Sequence, residues 1–492
     1  MVLLDLMCVG QGELASIVSA MARLRKYVSS ADYRGRNYQW AAGTRDHPTP
    51  FSIDTQHVMT NEAIAVDTEL LLEFMYRLGQ AYLACGEQTA EVERVLRRTA
   101  AAYGMRWARI VTFPTAVFIT LHDGREERVT LAEGLSHGLR LDQIADIYLL
   151  CNAAERAEVT PREGLDRLAA ILEKSGRFGP AGIVMGHSIL SIGLAMLLLP
   201  SLANLAGAAL LGFVVGLLKL VNRDRPVLAV PTPVFAATLV STLTYLAVQH
   251  GLPADPLYLL VPPLVTFLPG AMLTLGMVEL AYGDMIAGTS RLITGLVQLV
   301  LLAFGLAAGA ALVGYAPASL LDAAAPAMAQ PWAQWAPWVA VVVFGTGVYI
   351  HFSAPRHSIG WLLVVLLLTF GVQRFAASIF NSEMSGFFGM LVATPLGYLI
   401  QHRFKGPPAI VTYLPSFWLV VPGSLGLHSV TRMLSDRMVG IEGLVGAIFA
   451  IASIALGTLV GASIYKGLDE HFGWWRLQVR RVRHRVGRGG ER

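Results

Sequence analysis

The amino-acid sequence predicts a polytopic α-helical membrane protein, with about ten transmembrane helices as two inverted five-helix repeats, preceded by a small α+β cytoplasmic domain. Three observations predict it. Of the 492 residues 54% are hydrophobic, and the mean hydropathy is +0.54, above what a soluble chain carries. Charge is segregated: residues 1–180 hold 20 of the 38 Lys and Arg and 23 of the 34 Asp and Glu, whereas residues 183–465 hold 10 basic and 8 acidic residues. Finally, Val261-Pro262-Pro263-Leu264-Val265-Thr266-Phe267-Leu268-Pro269-Gly270 and Leu414-Pro415-Ser416-Phe417-Trp418-Leu419-Val420-Val421-Pro422-Gly423 read as one broken helix written twice, 153 residues apart. A duplication with helix breaks at matching places points to a transporter and to its binding site.

Residues 1–60 predict a mostly disordered arm. Gly12–Val28 has apolar residues at helical spacing mixed with Glu13, Arg23, Arg25 and Lys26, and 29–60 is polar and turn-rich. Residues 61–180 predict the cytoplasmic α+β domain. Leu70, Leu71, Phe74, Met75, Leu78, Ala81 and Tyr82 form one helical stripe, which Gly86 ends. Thr89 offers an N-cap to a second helix, with Glu91 and Glu93 in its first turn. The run Arg109–Leu121, a turn at Asp123-Gly124 and Arg128–Leu131 predict a β hairpin. Two helices follow, the second opened by Thr160-Pro161-Arg162-Glu163, with N-cap, first-turn proline and capping-box glutamate. Gly176–Pro180 reads as the hinge into the membrane.

Ten apolar runs come next, most of them reaching the ~20 residues that cross a ~30 Å hydrocarbon core. They divide into a first repeat (181–315), an extracytoplasmic linker (316–335) and a second repeat (336–466), with a basic cytoplasmic tail over 467–492. Five is odd, so consecutive copies sit upside down relative to one another. Arg177, Lys219, Arg223, Arg225, Arg356, Arg403, Lys405 and the C-terminal arginines fall on one side of ten alternating spans. The positive-inside rule then places both termini in the cytoplasm of a multi-pass inner-membrane protein.

Helix breaks fix the candidate site. Proline removes a backbone hydrogen bond, and unpaired backbone groups at membrane depth are tolerated only where they line a cavity or contact protein. The half-helices after Pro269-Gly270 and Pro422-Gly423 begin with free N–H groups that suit a carboxylate. Thr266, Thr274 and Ser424 add hydroxyls, and the alternative role of these kinks is packing alone. Glu279 and Asp284 stand where the basic bias expects an inside loop; Arg432 and Arg437, each 153 residues on, stand outside. Their opposition suggests pairing, gating or substrate attraction, against a plain role as interfacial helix caps. Glu383 joins Glu279 as a candidate proton relay. Cys8, Cys85 and Cys151 have no motif spacing, which argues for a reducing compartment, and His122 and His137 lack metal or triad spacing. No metal, cofactor, nucleic acid or catalytic residue is expected.

The segment Tyr76-Arg77-Leu78-Gly79-Gln80-Ala81-Tyr82-Leu83-Ala84-Cys85-Gly86-Glu87-Gln88-Thr89-Ala90-Glu91-Val92-Glu93-Arg94-Val95, followed by Phe113-Pro114-Thr115-Ala116-Val117-Phe118-Ile119-Thr120, resembles the opening signature of the threonine/serine exporter (ThrE-like) family. The Gly86, Thr89, Val92, Glu93 pattern is its most specific part, and the resemblance extends over about 65–465. It implies efflux of threonine and serine driven by the proton motive force. Family relatives with split halves are linked to dicarboxylate export, so a small organic acid is the alternative substrate. A membrane-anchored hydrolase or sensor acting through the soluble domain is the alternative from another class.

Overall fold

The computed structural model describes residues 67–105, 107–122, 127–133, 138–223, 225–253, 256–314, 334–420 and 437–486. The expected N-terminal arm, the Asp123-Gly124 turn and all but the last two residues of the 316–335 linker lie outside them. So do Pro422, Gly423, Ser424 and Arg432.

The N-terminal part is a small α+β cap. Helices α1 (Thr68–Ala84) and α2 (Thr89–Ala102) precede strands β1 (Ala108–Phe113), β2 (Ala116–His122) and β3 (Glu127–Glu133), then α3 (Leu141–Glu155) and α4 (Pro161–Glu173). The strands form an antiparallel sheet in the order β1-β2-β3. Here the sequence reading needs correction: Arg109–Leu121 is not one arm of a hairpin but a hairpin itself. It folds back at Pro114-Thr115, with Phe113 facing Ala116 and Ile110 facing Ile119. Proline has no N–H to give to a ladder, so the strand ends there. Leu71, Phe74, Met75, Leu78, Val92, Leu96, Ile110, Val117 and Ile119 are buried between the helices and the sheet. In α4, Thr160 caps as its sequence suggested, accepting from Glu163 N at 3.2 Å.

The membrane part follows the apolar runs. Helices α5 (Gly179–Leu198), α6 (Leu202–Asn222), α7 (Thr232–Gln249), α8 (Pro256–Leu264), α9 (Gly270–Ala281) and α10 (Met285–Val313) form its first half. The second half holds α11 (Ala336–His351), α12 (Ile359–Ile379), α13 (Ser382–Arg403), α14 (Ala409–Val420) and α15 (Arg437–Val486). Seven helices are long and apolar enough to cross a membrane, or eight with the bent pair Tyr258–Phe267 and Gly270–Ala281 taken as one span. The other two expected spans appear as the shorter apolar helices α11 and α14. With 16 residues α11 rises about 24 Å, short of a full hydrocarbon core. The last helix runs on past the expected end at 466 to Val486.

Small residues set the helix spacing, as van der Waals packing in an apolar medium favours. Gly186 and Gly193 of α5 rest on the backbones of His351 and Phe344 in α11, and Gly347 rests on Leu190 in return. In the first half, a Cβ on Gly305 or Gly309 would lie 2.6 Å or 2.5 Å from the carbonyl oxygens of Val234 and Thr238. In the second half, a Cβ on Gly457 would meet the carbonyl oxygen of Phe387, and one on Gly461 would lie 2.9 Å from Pro395 Cδ and 3.2 Å from the carbonyl oxygen of Leu391. Neighbour relations recur too. Helix α5 packs on α6 and α7 on α10, with α8 set against α5, α6 and α7; α11 packs on α12 and α13 on α15, with α14 set against α11, α12 and α13.

Candidate functional site

Two prolines at 262 and 263 remove two successive N–H donors, so α8 ends at Leu264. One 3₁₀ turn, Val265–Phe267, follows, and Pro269 caps α9. The two segments meet at a 60° bend. Side chains of other helices collect on this break. Ser191 Oγ, which donates to His187 O at 2.8 Å, shares its hydrogen with Pro262 O at 3.3 Å; His187 Nε2 donates to Pro263 O at 2.9 Å, and Gln298 Nε2 to Phe267 O at 2.7 Å. The backbone oxygens that a straight helix would keep to itself are thus taken by protein partners.

A cation sits beside them. Lys219 Nζ, on the last turn of α6, donates to Thr266 Oγ1 at 2.8 Å and lies 5.0 Å from the centre of the Phe267 ring. It also lies 3.3 Å from His351 Nε2. His351 Nδ1 meets the carbonyl of Ile183 at 2.8 Å, so Nδ1 carries the hydrogen and Nε2 accepts from the lysine. The rings of His187 and His351 stand 4.9 Å apart. Among the described residues no acidic side chain pairs with Lys219.

A second network joins the cap to the far end of the broken segment. The turn between α9 and α10 carries Glu279 and Asp284, and Arg291 Nε stands 2.9 Å from Glu279 Oε2 as an ion pair without hydrogen-bond alignment. Thr89 N donates to Glu279 Oε1 at 3.1 Å, and the Thr89 hydroxyl donates to Asp284. Arg291 Nη2 reaches back to Glu87 O at 2.7 Å. A further anchor lies across the face, where Leu141 N donates to Phe352 O at 3.0 Å. The Phe352 ring stacks on Trp418 of α14 at 5.0 Å.

This joint explains the motif. Gly86, at φ +85°, takes the left-handed turn that ends α1. Thr89 is the first residue of α2, behind the N-cap Gln88, and its hydroxyl is spent on the membrane part instead of capping its own helix. Thr112 Oγ1 holds the Thr89 carbonyl from β1 at 2.8 Å. Val92 is buried, and Glu93 pairs with Arg97 at 2.7 Å. Glu87 receives the Tyr148 hydroxyl. Burial, then the nearby Glu91, pushes its carboxyl up to about 7 against the pull of Gln88 N–H, Arg291 and Arg94. Burial likewise raises the thiols of Cys85 and Cys151, which are free and un-ionised.

Of the residues expected at the site, Thr266, Pro269 and Gly270 form the break, and Thr274 is fully buried with its hydroxyl unpartnered. Glu279 and Asp284 belong to the joint. Glu383 stands apart in the first turn of α13, facing Gly446 of α15. Arg437 begins α15, and its side chain lies outside the described residues. Lys219, His351, Arg291, Gln298 and Ser191 were not among the expected site residues. One signal for Lys219 was available: it lies inside an apolar run, one turn before its end.

Compared with known proteins, residues 73–313 match the ThrE family model, whose description is "Putative threonine/serine exporter". The matched stretch takes in the cap, the broken segment and the first membrane half. No curated protein and no solved structure matches the chain.

Proposed function

We infer that this ThrE-like chain, whose relatives are transporters, is a secondary exporter of small hydroxy amino acids such as threonine and serine, driven by the proton motive force across a bacterial inner membrane. One observation carries the reading: a helix broken inside the apolar bundle, with polar side chains from α5, α6, α10 and α11 gathered on the break. Unwound backbone at such depth is where transporters bind solutes. The repeated packing supports two inverted five-helix units: Val234 and Thr238 lie 153 residues before Phe387 and Leu391, the offset of the two Pro-Gly signatures, while the glycines that meet them, Gly305 and Gly309, lie 152 residues before Gly457 and Gly461. The cap docks through Leu141 and Gly176 beside Phe352 and Ser353, three residues or so before Arg356, and passes through Arg177 into α5, which agrees with a cytoplasmic cap. Thr89, Glu279, Asp284 and Arg291 make the cap a gating element: α9 runs from the break to the joint, so the cap and the bend move together.

Counterflow of labelled threonine in proteoliposomes, with succinate as competitor, tests the function. Threonine is expected to exchange and succinate to compete poorly. Exchange of succinate alone would move the assignment to organic-acid export. Gly270→Leu is expected to abolish exchange in a protein that still inserts; unchanged exchange would remove the break from the transport path.

A further inference from the structure

The hydrogen-bonding capacity around the break can be counted atom by atom. The Lys219 ammonium has three N–H donors. Thr266 Oγ1 and His351 Nε2 use two of them, and among the described residues nothing uses the third. Both nitrogens of His351 are engaged, by Ile183 O and by Lys219. His187 is fully buried; its Nε2 must carry a hydrogen to meet the Pro263 carbonyl, which leaves Nδ1 as a lone-pair acceptor. That Nδ1 is buried and has no partner. A buried acceptor left unmade is costly, and a half-buried cation without a carboxylate is equally incomplete. The two openings are close, since the histidine rings stand 4.9 Å apart and Lys219 touches one of them.

We propose that Lys219 and His187 form the polar end of a solute subsite, in which Lys219 takes a carboxylate and His187 Nδ1 accepts an N–H or O–H of the same small molecule. This rests on the export reading above and sharpens it. A cation and an acceptor side by side select amino acids or hydroxy acids, which carry an acceptor and a donor on adjacent atoms. An ionised dicarboxylate has no donor to offer His187 and places a second negative charge beside its lone pair. Thr266, on the bend itself, connects the filling of the subsite to the geometry of the broken helix. Lys219 and His187 are therefore specificity-determining positions.

The full-length protein in proteoliposomes, compared on serine, serinol and propionate, tests this. Serinol keeps the ammonium and hydroxyl without the carboxylate; propionate keeps the carboxylate without a donor. Wild type is expected to prefer serine over either by tenfold or more, the size of one charge-assisted hydrogen bond. Lys219→Met is expected to raise KM for serine at least tenfold more than it raises KM for serinol, and Lys219→Arg to keep part of the preference. His187→Phe is expected to erase the discrimination between serine and propionate. Equal exchange of serine and serinol by wild type would overturn the proposal without any variant. So would a Lys219→Met protein that loses kcat for both compounds with their ratio intact, since that is how a merely structural lysine behaves. If wild type exchanges none of the three compounds, nor threonine, the export reading itself fails; a failure of the subsite alone leaves serine exchange in place.

Discussion

The two polar networks of this molecule are built on opposite plans. At the joint, Glu279 and Asp284 meet Arg291, the Thr89 amide and the Thr89 hydroxyl, so acid and base stand together within the protein, although Arg291 Nε and Glu279 Oε2 pair without hydrogen-bond alignment. At the break, Lys219 and two histidines gather with no acid beside them among the described residues, and one buried nitrogen remains unpartnered. A network closed in this sense, with each buried acid beside a cation or a donor, serves attachment. An open one leaves capacity that the proposed solute would fill.

The largest expected effect lies in breaking the closed network. Arg291→Met leaves Glu279, 2% exposed, as an uncompensated buried carboxylate, a loss of about 3–5 kcal/mol. Thermal unfolding of the purified protein should drop accordingly, and trypsin should cut faster at Lys174 and Arg177 in the connector below the cap. Adding Glu279→Gln should recover part of the loss. Additive losses would show that the two side chains do not act as a pair.

The same kind of change at the open network should barely move stability. Lys219→Met removes two hydrogen bonds but also removes a charge held in an apolar bundle, so the net effect should lie within about 1 kcal/mol. A drop as large as that of Arg291→Met would mean that Lys219 is structural. Thr89→Val falls between them. It removes the hydroxyl from Asp284 while the backbone amide still reaches Glu279, for an expected loss of about 1–2 kcal/mol. A loss below the error of the unfolding measurement would remove Thr89 from the joint.

What the sequence made legible follows the same division. Hydropathy located the membrane helices, because burial in lipid needs long apolar runs, and Pro262, Pro263, Pro269 and Gly270 located the bend, because proline acts on its own helix. The strand break at Pro114 was missed, although its cause is equally local. What could not be read was pairing across distance. Thr89 looked like a helix cap because capping is the commonest local use of threonine; its partners lie 190 and 195 residues away. Glu279 and Asp284 opposed the charge bias of their side, and the joint supplies the reason. Lys219 looked like one more inside-loop cation until α6 turned it onto Thr266.

The last expected effect separates the networks by pH. Glu87, beside the joint, holds its proton up to about 7 because burial disfavours the carboxylate and Glu91 repels it. Its ordinary value is 4.5, so in the window between the two the folded cap binds a proton that the unfolded chain releases. Linkage then fixes the sign: the contribution is fully present below about 4.5, falls as pH rises towards 7 and is flat above. Glu87→Gln stays neutral throughout, keeps an acceptor for Tyr148, and should be more stable than wild type at pH 8 but equal to it near pH 4.5. The difference should amount to about 1–3 kcal/mol for one partly exposed group. Unfolding curves of the two proteins across this range, subtracted from each other, separate the contribution of Glu87 from that of every other titrating group. A difference that does not change with pH would show that Glu87 is not the titrating group. A difference that grows only across that window and then persists would give the cap a response to pH through Glu87, the residue whose carbonyl Arg291 holds.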